Sequence, residues 1–363
     1  MVATELSRDS RPLRVVFVPV SGPAGAGEYY ESLAVAAGVL RRWPDARLSF
    51  VLSRQARYAR SVPFPTTLVE GSPTHATDEV VRAIEKDRPD VVIFASSGRV
   101  AQFAAAQRVG ARVVCMSPRS SARRRSFRLR RMRHIDQHWI SEPSFARASL
   151  TRWERLRLAL VPRVEVVFLD GLHEPIVEAS VVRRKRELGL EGHEYVVFCP
   201  GGGGVFGGVS AVPVFLAAAT DVSRQAGETV LLVAGPNSDL SHSGDDRLRI
   251  TPAVPNGDLM GLLRDATLAV TTGGTLMLQS VMQGTVCVAA PIASDQPQRI
   301  AACARRGLVV PARLTRESLA GGVLALLADP DRREAISQEV ARAGVRNGVD
   351  VAVRALARLL DRS

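Results

Sequence analysis

The stretch SGPAGAGEYYES (residues 21–32) follows the apolar run VVFVPV and precedes a helical pattern. It has glycines at 22, 25 and 27, with the carboxylates Glu28 and Glu31 just beyond. Glycine at a strand end lets the backbone turn sharply and lets a ligand come close to it. A helix start just after it offers unpaired N–H groups and the positive end of a dipole. Such a corner suits an anion, often a phosphate, although a tight turn that binds nothing needs the same glycines. Two more glycine sites recur at strand ends: GGGGVFGG (201–208) after YVVFCP, and Gly273-Gly274 between ATLAVTT and TLMLQSVMQG.

Several phosphate and metal chemistries fit poorly. No loop reads G-x-x-x-x-G-K-[ST], which argues against a P-loop nucleotidase. The first loop, G-P-A-G-A-G, departs from G-x-G-x-x-G and lacks a strand-end acid about twenty residues on, which argues against a dinucleotide dehydrogenase. Of the histidines at 75, 134, 138, 173, 193 and 242, only His134 and His138 have a ligand-like spacing, and they precede or enter a predicted strand. Asp329-Pro-Asp331 lies between helical runs and suits a helix cap better than a metal. Chemistry without a metal or resident cofactor is expected. Cys115, Cys199, Cys287 and Cys303 lie far apart, three of them in apolar strand-like runs, and read as buried thiols of a cytoplasmic protein.

The elements that must position these loops alternate between strand-like and helix-like patterns, which predicts an α/β fold with parallel sheets. Strands are expected at 15–20, 48–53, 89–97 and 111–117, with helices after the first loop and at 99–108. A second unit begins near 195, with strands at 195–200, 229–235, 248–254, 266–272 and 286–291. The Gly- and Pro-bearing stretch 168–180 is the expected hinge. The chain of 363 residues thus divides into an N-terminal domain (1–170), a C-terminal domain (171–345) and a closing helix (346–363). In open α/β sheets, ligands bind beyond the carboxyl ends of the strands. Two facing units would therefore put a phosphate-friendly loop on each wall of a cleft, an arrangement suited to a nucleoside diphosphate.

Nearly all of the basic residues behind the net charge of +12 are arginine, with lysine only at 86 and 185. The run RRRSFRLRRMR (123–133) concentrates seven arginines in eleven residues. It is either a solvated surface or a contact for an anionic acceptor or membrane headgroups. No stretch reaches the roughly 18 apolar residues of a membrane span, and no signal-peptide pattern opens the chain.

The sequence resembles the GT-B glycosyltransferases of the family 28 type. The resemblance rests on GPAGAGEYYESLAVAAGVL, on RRKRELGLEGHEYVVFCPGGGG, and on ITPAVPNGDLM through QRIAACARRG (250–307), and it is specific mainly over 195–307. It implies two Rossmann-like doubly wound domains and transfer of a sugar, with inversion, from a nucleotide donor, most simply a UDP-sugar. Val254 would lie against the nucleobase, and Gly273, Gly274 and Thr275 would offer N–H groups to the diphosphate. Gly202, Gly203 and Gly204 would line the facing loop, and Asp295 and Gln296 would meet the sugar hydroxyls. Gln279 stands where the family usually carries a ribose-gripping carboxylate. Glu28 stands where it carries a histidine base, with Glu31 one turn later as a rival. Gly25, Gly27, Arg128 and Arg131 fall on the acceptor side, for a small or lipid-linked acceptor. A nucleotide-sugar hydrolase of the same fold is the enzymatic alternative. A non-catalytic arginine-rich binder of membranes or, less readily, nucleic acid is the other.

Overall fold

The computed structural model describes residues 11–23, 25–142, 150–238, 240 and 247–361; the first ten residues, His242 and the last two residues lie outside these. Seven parallel strands form the first sheet: β1 (Arg14–Pro19), β2 (Arg47–Ser53), β3 (Thr66–Val69), β4 (Val91–Ala95), β5 (Arg112–Ser117), β6 (Gln137–Ser141) and β7 (Glu165–Leu169). Their order is β3-β2-β1-β4-β5-β6-β7. Apolar runs such as VVFVP and VVIFA are buried along nearly their whole length, as strands covered on both faces must be. The helices of this half are α1 (Gly27–Arg42), α2 (Thr77–Asp87), α3 (Val100–Arg108), α4 (Ser120–Ser126), α5 (Leu129–Met132) and α6 (Arg152–Leu160).

After α7 (Glu178–Glu187), β8 (Tyr195–Cys199) opens the second half. The loop after β8 folds into a small hairpin of β9 (Val205–Phe206) and β10 (Val209–Ser210). There follow α8 (Val212–Ala226), β11 (Thr229–Val233), β12 (Leu248–Thr251), α9 (Asn256–Arg264), β13 (Leu268–Thr272), α10 (Thr275–Met282), β14 (Cys287–Ala290), α11 (Gln296–Ala304) and β15 (Val310–Pro311). Two helices complete it, α12 (Arg316–Leu327) and α13 (Pro330–Ala343). The second sheet runs β12-β11-β8-β13-β14-β15, all parallel. Strand order therefore reverses between β1 and β4 in one half and between β8 and β13 in the other. Three of the glycine loops leave from these strands.

Strands β3, β7, β9, β10 and β15 are absent from the sequence reading, and β6 is anticipated there only as the strand that His134 and His138 precede or enter. β3 is only four residues long. In β6, QHWIS, every residue is buried despite its polarity: Gln137 donates to the Ala355 carbonyl at 2.7 Å and Trp139 to Gln137 at 2.9 Å. β7 was hidden by the expected hinge at 168–180. Phe168 and Leu169 pair with Ile140 and Ser141, so β7 runs to 169 and α7 starts at 178, leaving 170–177 as the connection. Asp329 does cap α13, accepting from the Arg332 N–H at 2.9 Å.

The last helix, α14 (Val349–Asp361), returns to the first half and buries Val349, Val353 and Leu356 in the core shared by α1 and β1. A methyl group at Gly38 of α1 would sit 2.4 Å from the Val349 side chain. On a free helix, Gly→Ala gains about 0.8–1 kcal/mol of helix propensity. Here overpacking at about 1–3 kcal/mol opposes that gain. Gly38→Ala should therefore lower the midpoint of denaturant unfolding; a raised midpoint would mean that α14 does not seat on α1.

Candidate active site

Strand order predicts where ligands meet this fold, and a cleft of about 410 Å³ lies there. Its walls come from the loops after β1, β5, β8, β11, β12, β13 and β14 and from the 170–171 connection. The two halves touch at its floor. A methyl on Gly27 would lie 3.0 Å from the Thr275 hydroxyl, and one on Gly202 would lie 3.3 Å from the Ala26 nitrogen. The N-termini of α1 and α10 thus abut across the domain boundary.

Of the expected donor-side residues, Gly202, Val254, Gly274, Thr275, Gln279, Asp295 and Gln296 line the cleft. Gly203, Gly204 and Gly273 are not among its lining residues, and the first and last of these have packing reasons to be glycine. Gly203 has φ +71°, and a side chain there would collide with the Ala234 carbonyl. A methyl at Gly273 would come within 2.6 Å of Ile300, so glycine there lets α11 pack against the loop. Gln279 is buried and donates to the Leu172 carbonyl of the connection at 2.7 Å. Gln296 is buried too, and its side-chain oxygen accepts from the Ile292 N–H at 2.8 Å, which fixes the loop before α11.

On the facing wall Gly25, Gly27, Glu28 and Glu31 line the cleft. Glu28 forms an ion pair with Arg119, which reaches in from the loop after β5. Glu31 is buried, receives a long 3.5 Å contact from the Thr275 hydroxyl, and has no partner for its second oxygen. Burial pushes its carboxyl up to about 8, against the pull of Arg299 and the Thr275 hydroxyl. Arg299 of α11 donates to the Gly273 carbonyl at 2.9 Å and to Asp295 at 3.2 Å. Sequence reasoning missed both arginines. Arg299 was findable as the residue four after Asp295 on one helix face, whereas Arg119 is lost among its arginine neighbours.

Arg128 and Arg131 do not line the cleft, and they occupy unlike environments. Arg128 is exposed. Arg131 donates to the carbonyls of Gly98 at 2.9 Å and Ser97 at 3.2 Å, with its guanidinium over the Phe103 ring. Arg123 is buried in a two-pronged bond to Glu154 at 2.8 and 2.9 Å. Part of the arginine run is therefore internal framework. The sequence reading also missed α6, which exposes Trp153, Leu156 and Leu160. His134 and His138 are engaged separately, by Gln107 at 2.7 Å and Ser117 at 3.0 Å. All four cysteines are buried and free. Among the described residues no helix is long and apolar enough to cross a membrane, and no three His, Cys, Asp or Glu side chains gather as a metal-ligand set.

No protein-family model matches this sequence, and no curated protein does. Solved structures do match. UDP-glucose: anthocyanidin 3-O-glucosyltransferase in complex with UDP superimposes with a TM-score of 0.64 at 12% identity, over 97% of this chain and 100% of its own. Spinosyn forosaminyltransferase SpnP gives 0.63 at 15% identity, over 96% and 99%. Glycosyltransferase VinC in complex with dTDP gives 0.60 at 16%, over 97% and 100%. At such identities the likeness is one of fold. The chain has the GT-B architecture, two Rossmann-like domains facing across a cleft.

The divided arginine run has a measurable consequence. Arg131→Ala should cost about 1–3 kcal/mol, because it leaves buried carbonyls without a donor. Arg128→Ala should stay within about 0.5 kcal/mol of wild type, as exposed substitutions do. Equal unfolding midpoints for the two variants would contradict this division.

Proposed function

We propose that the protein transfers a sugar from a nucleoside-diphosphate donor to an acceptor hydroxyl. The observation that carries this reading is the cleft where the N-terminus of α10, with Gly274 and Thr275, faces the glycine loop and carboxylates of α1. The α10 N–H groups would hold the diphosphate, and Val254 would pack against the base. Asp295 and Gln296 would meet the sugar, and Gln279, with its amide already donating to Leu172, would offer its oxygen to a ribose hydroxyl. UDP is the nucleotide we favour. The sequence resemblance to family 28 and the neighbour in complex with UDP support that choice.

Glu28 is the proposed base. Its carboxylate takes the proton of the acceptor hydroxyl as that oxygen attacks the anomeric carbon. The bond from that carbon to the diphosphate breaks on the opposite face, giving inversion, and the α10 N–H groups receive the departing charge. No metal is needed in this scheme. Arg119, ion-paired with Glu28, would aim the carboxylate into the cleft. We also propose that α6 rests on an anionic membrane. Exposed Trp153, Leu156 and Leu160 sit among Arg152 and Arg155 there, a pairing of apolar and basic groups that suits a lipid interface.

UDP should raise the melting temperature of the wild-type protein, and Asp295→Ala should weaken a UDP-sugar more than UDP. No shift with UDP, dTDP or any other nucleoside diphosphate would remove the donor-site reading. Glu28→Gln should lower kcat about 10²–10⁴-fold with UDP affinity retained. A role limited to the helix dipole would instead cost about 0.3–1 kcal/mol of stability with turnover intact. Sugar release at the full rate without any acceptor would reassign the enzyme as a hydrolase. Sedimentation with phosphatidylglycerol vesicles should be lost in Trp153→Ser/Leu156→Ser and persist in Arg131→Ala; unchanged sedimentation of the double variant removes α6 from the membrane contact.

A further inference from the structure

Glu31 is a buried carboxyl that the proposed reaction does not use. It stands one turn into α1, 3% exposed, at the point where α1 meets the first residue of α10. One oxygen faces the Thr275 hydroxyl at 3.5 Å, and the other has no partner although it is shut off from solvent. Leaving a buried polar atom unpaired is costly, and leaving it there as a bare anion costs more. A carboxyl that carries its proton, and has a ligand oxygen to give it to, escapes both penalties. The cleft it lines is the place where an anion would bind at α10.

We propose that Glu31 binds the diphosphate as a neutral acid, donating its O–H to a phosphate oxygen held at the N-terminus of α10. This rests on the donor-site reading above and deepens it. A charged carboxylate in the same place would repel the diphosphate, so binding would be linked to one proton. The raised carboxyl, about 8, places that linkage just above neutral pH. The charged and titratable groups around the site are Glu28 and Tyr30 on α1, Arg119 after β5, Cys199 at the end of β8, Asp170 in the connection, and Asp295 and Arg299 on α11. Burial pushes Tyr30 and Cys199 up to about 12, above the range from pH 7 to 9.5. Glu28 is already in its ion pair with Arg119.

The sign follows directly. Well below pH 8 the free protein already carries the proton and affinity is flat. Above it, binding must take up a proton, and affinity should fall by up to about tenfold per pH unit. A nucleotide phosphate, with its last ionisation near pH 6, adds nothing in that range. The contrast with Glu28 is chemically useful: two carboxyls one turn apart, one in an ion pair and one kept neutral, are suited to opposite proton duties.

The test is calorimetric titration of the whole protein with UDP, and separately with dTDP, from pH 7 to 9.5. Wild type should lose at least about tenfold in affinity over that range. In buffers of different ionisation enthalpy it should show uptake approaching one proton at pH 9. Glu31→Gln keeps the shape and a donor, so its affinity should lie within about threefold of wild type at pH 7 and stay flat to pH 9.5. A flat wild-type profile, an absence of proton uptake, or the same fall in Glu31→Gln would overturn the proposal while leaving the donor site intact. Failure of either nucleotide to bind at pH 7 would overturn the donor-site reading and this inference with it. Should Glu31→Gln not fold, proton uptake by the wild type decides alone.

Discussion

Everything about the site depends on how closely two helix ends approach each other. α1 and α10 start at reversals of strand order in different sheets, and their first residues meet. Glycine at 27 and a small hydroxyl residue at 275 let them come into contact. Two such ends repel unless something negative or acceptor-rich lies between or beside them. Glu28 and Glu31 lie beside them, one paired with a guanidinium and one buried. The corner between the two helix starts is thus bordered by carboxyls of α1.

The first half is held by charge in an uncommon place. Arg123 lies 6% exposed between Glu154 and Glu142, at 2.8 and 3.6 Å, and ties α4 to α6. Arg131 and Arg125 donate to the backbone carbonyls of 96–98 beyond β4. Such groups are costly to bury and contribute little net stability against an apolar replacement, but losing one partner alone is severe. Their evident work is to fix the loops after β4 and β5, including the one that carries Arg119.

Legibility in the sequence followed burial. β1, β4, β5, β8, β13 and β14 are continuous apolar runs and could be read from pattern alone. β6 could not be delimited that way, because its Gln137 and His138 are satisfied by partners from β5, β7 and a helix more than two hundred residues away. The same limit governed the site. The glycine loops and Asp295-Gln296 were legible as local motifs, and most of those residues do line the cleft. What was invisible is what distant residues do to them. Glu28 and its arginine are 91 positions apart, Glu31 and Thr275 are 244 apart, and no local pattern foretells that one carboxyl is paired and the other buried.

The return of α14 to α1 has a consequence for how the molecule is made. Residues 170–177 lead out of the first half and 345–348 lead back. The two connections lie side by side where Gly171 bridges Asn347 and Asn347 donates to the His173 carbonyl at 2.8 Å. On the ribosome, α1 is therefore synthesised early, yet the face around Gly38 waits for a cover that emerges only after the whole second half has been translated. During that interval the first half is an incomplete body with an open apolar seam, and the last helix completes it as a latch.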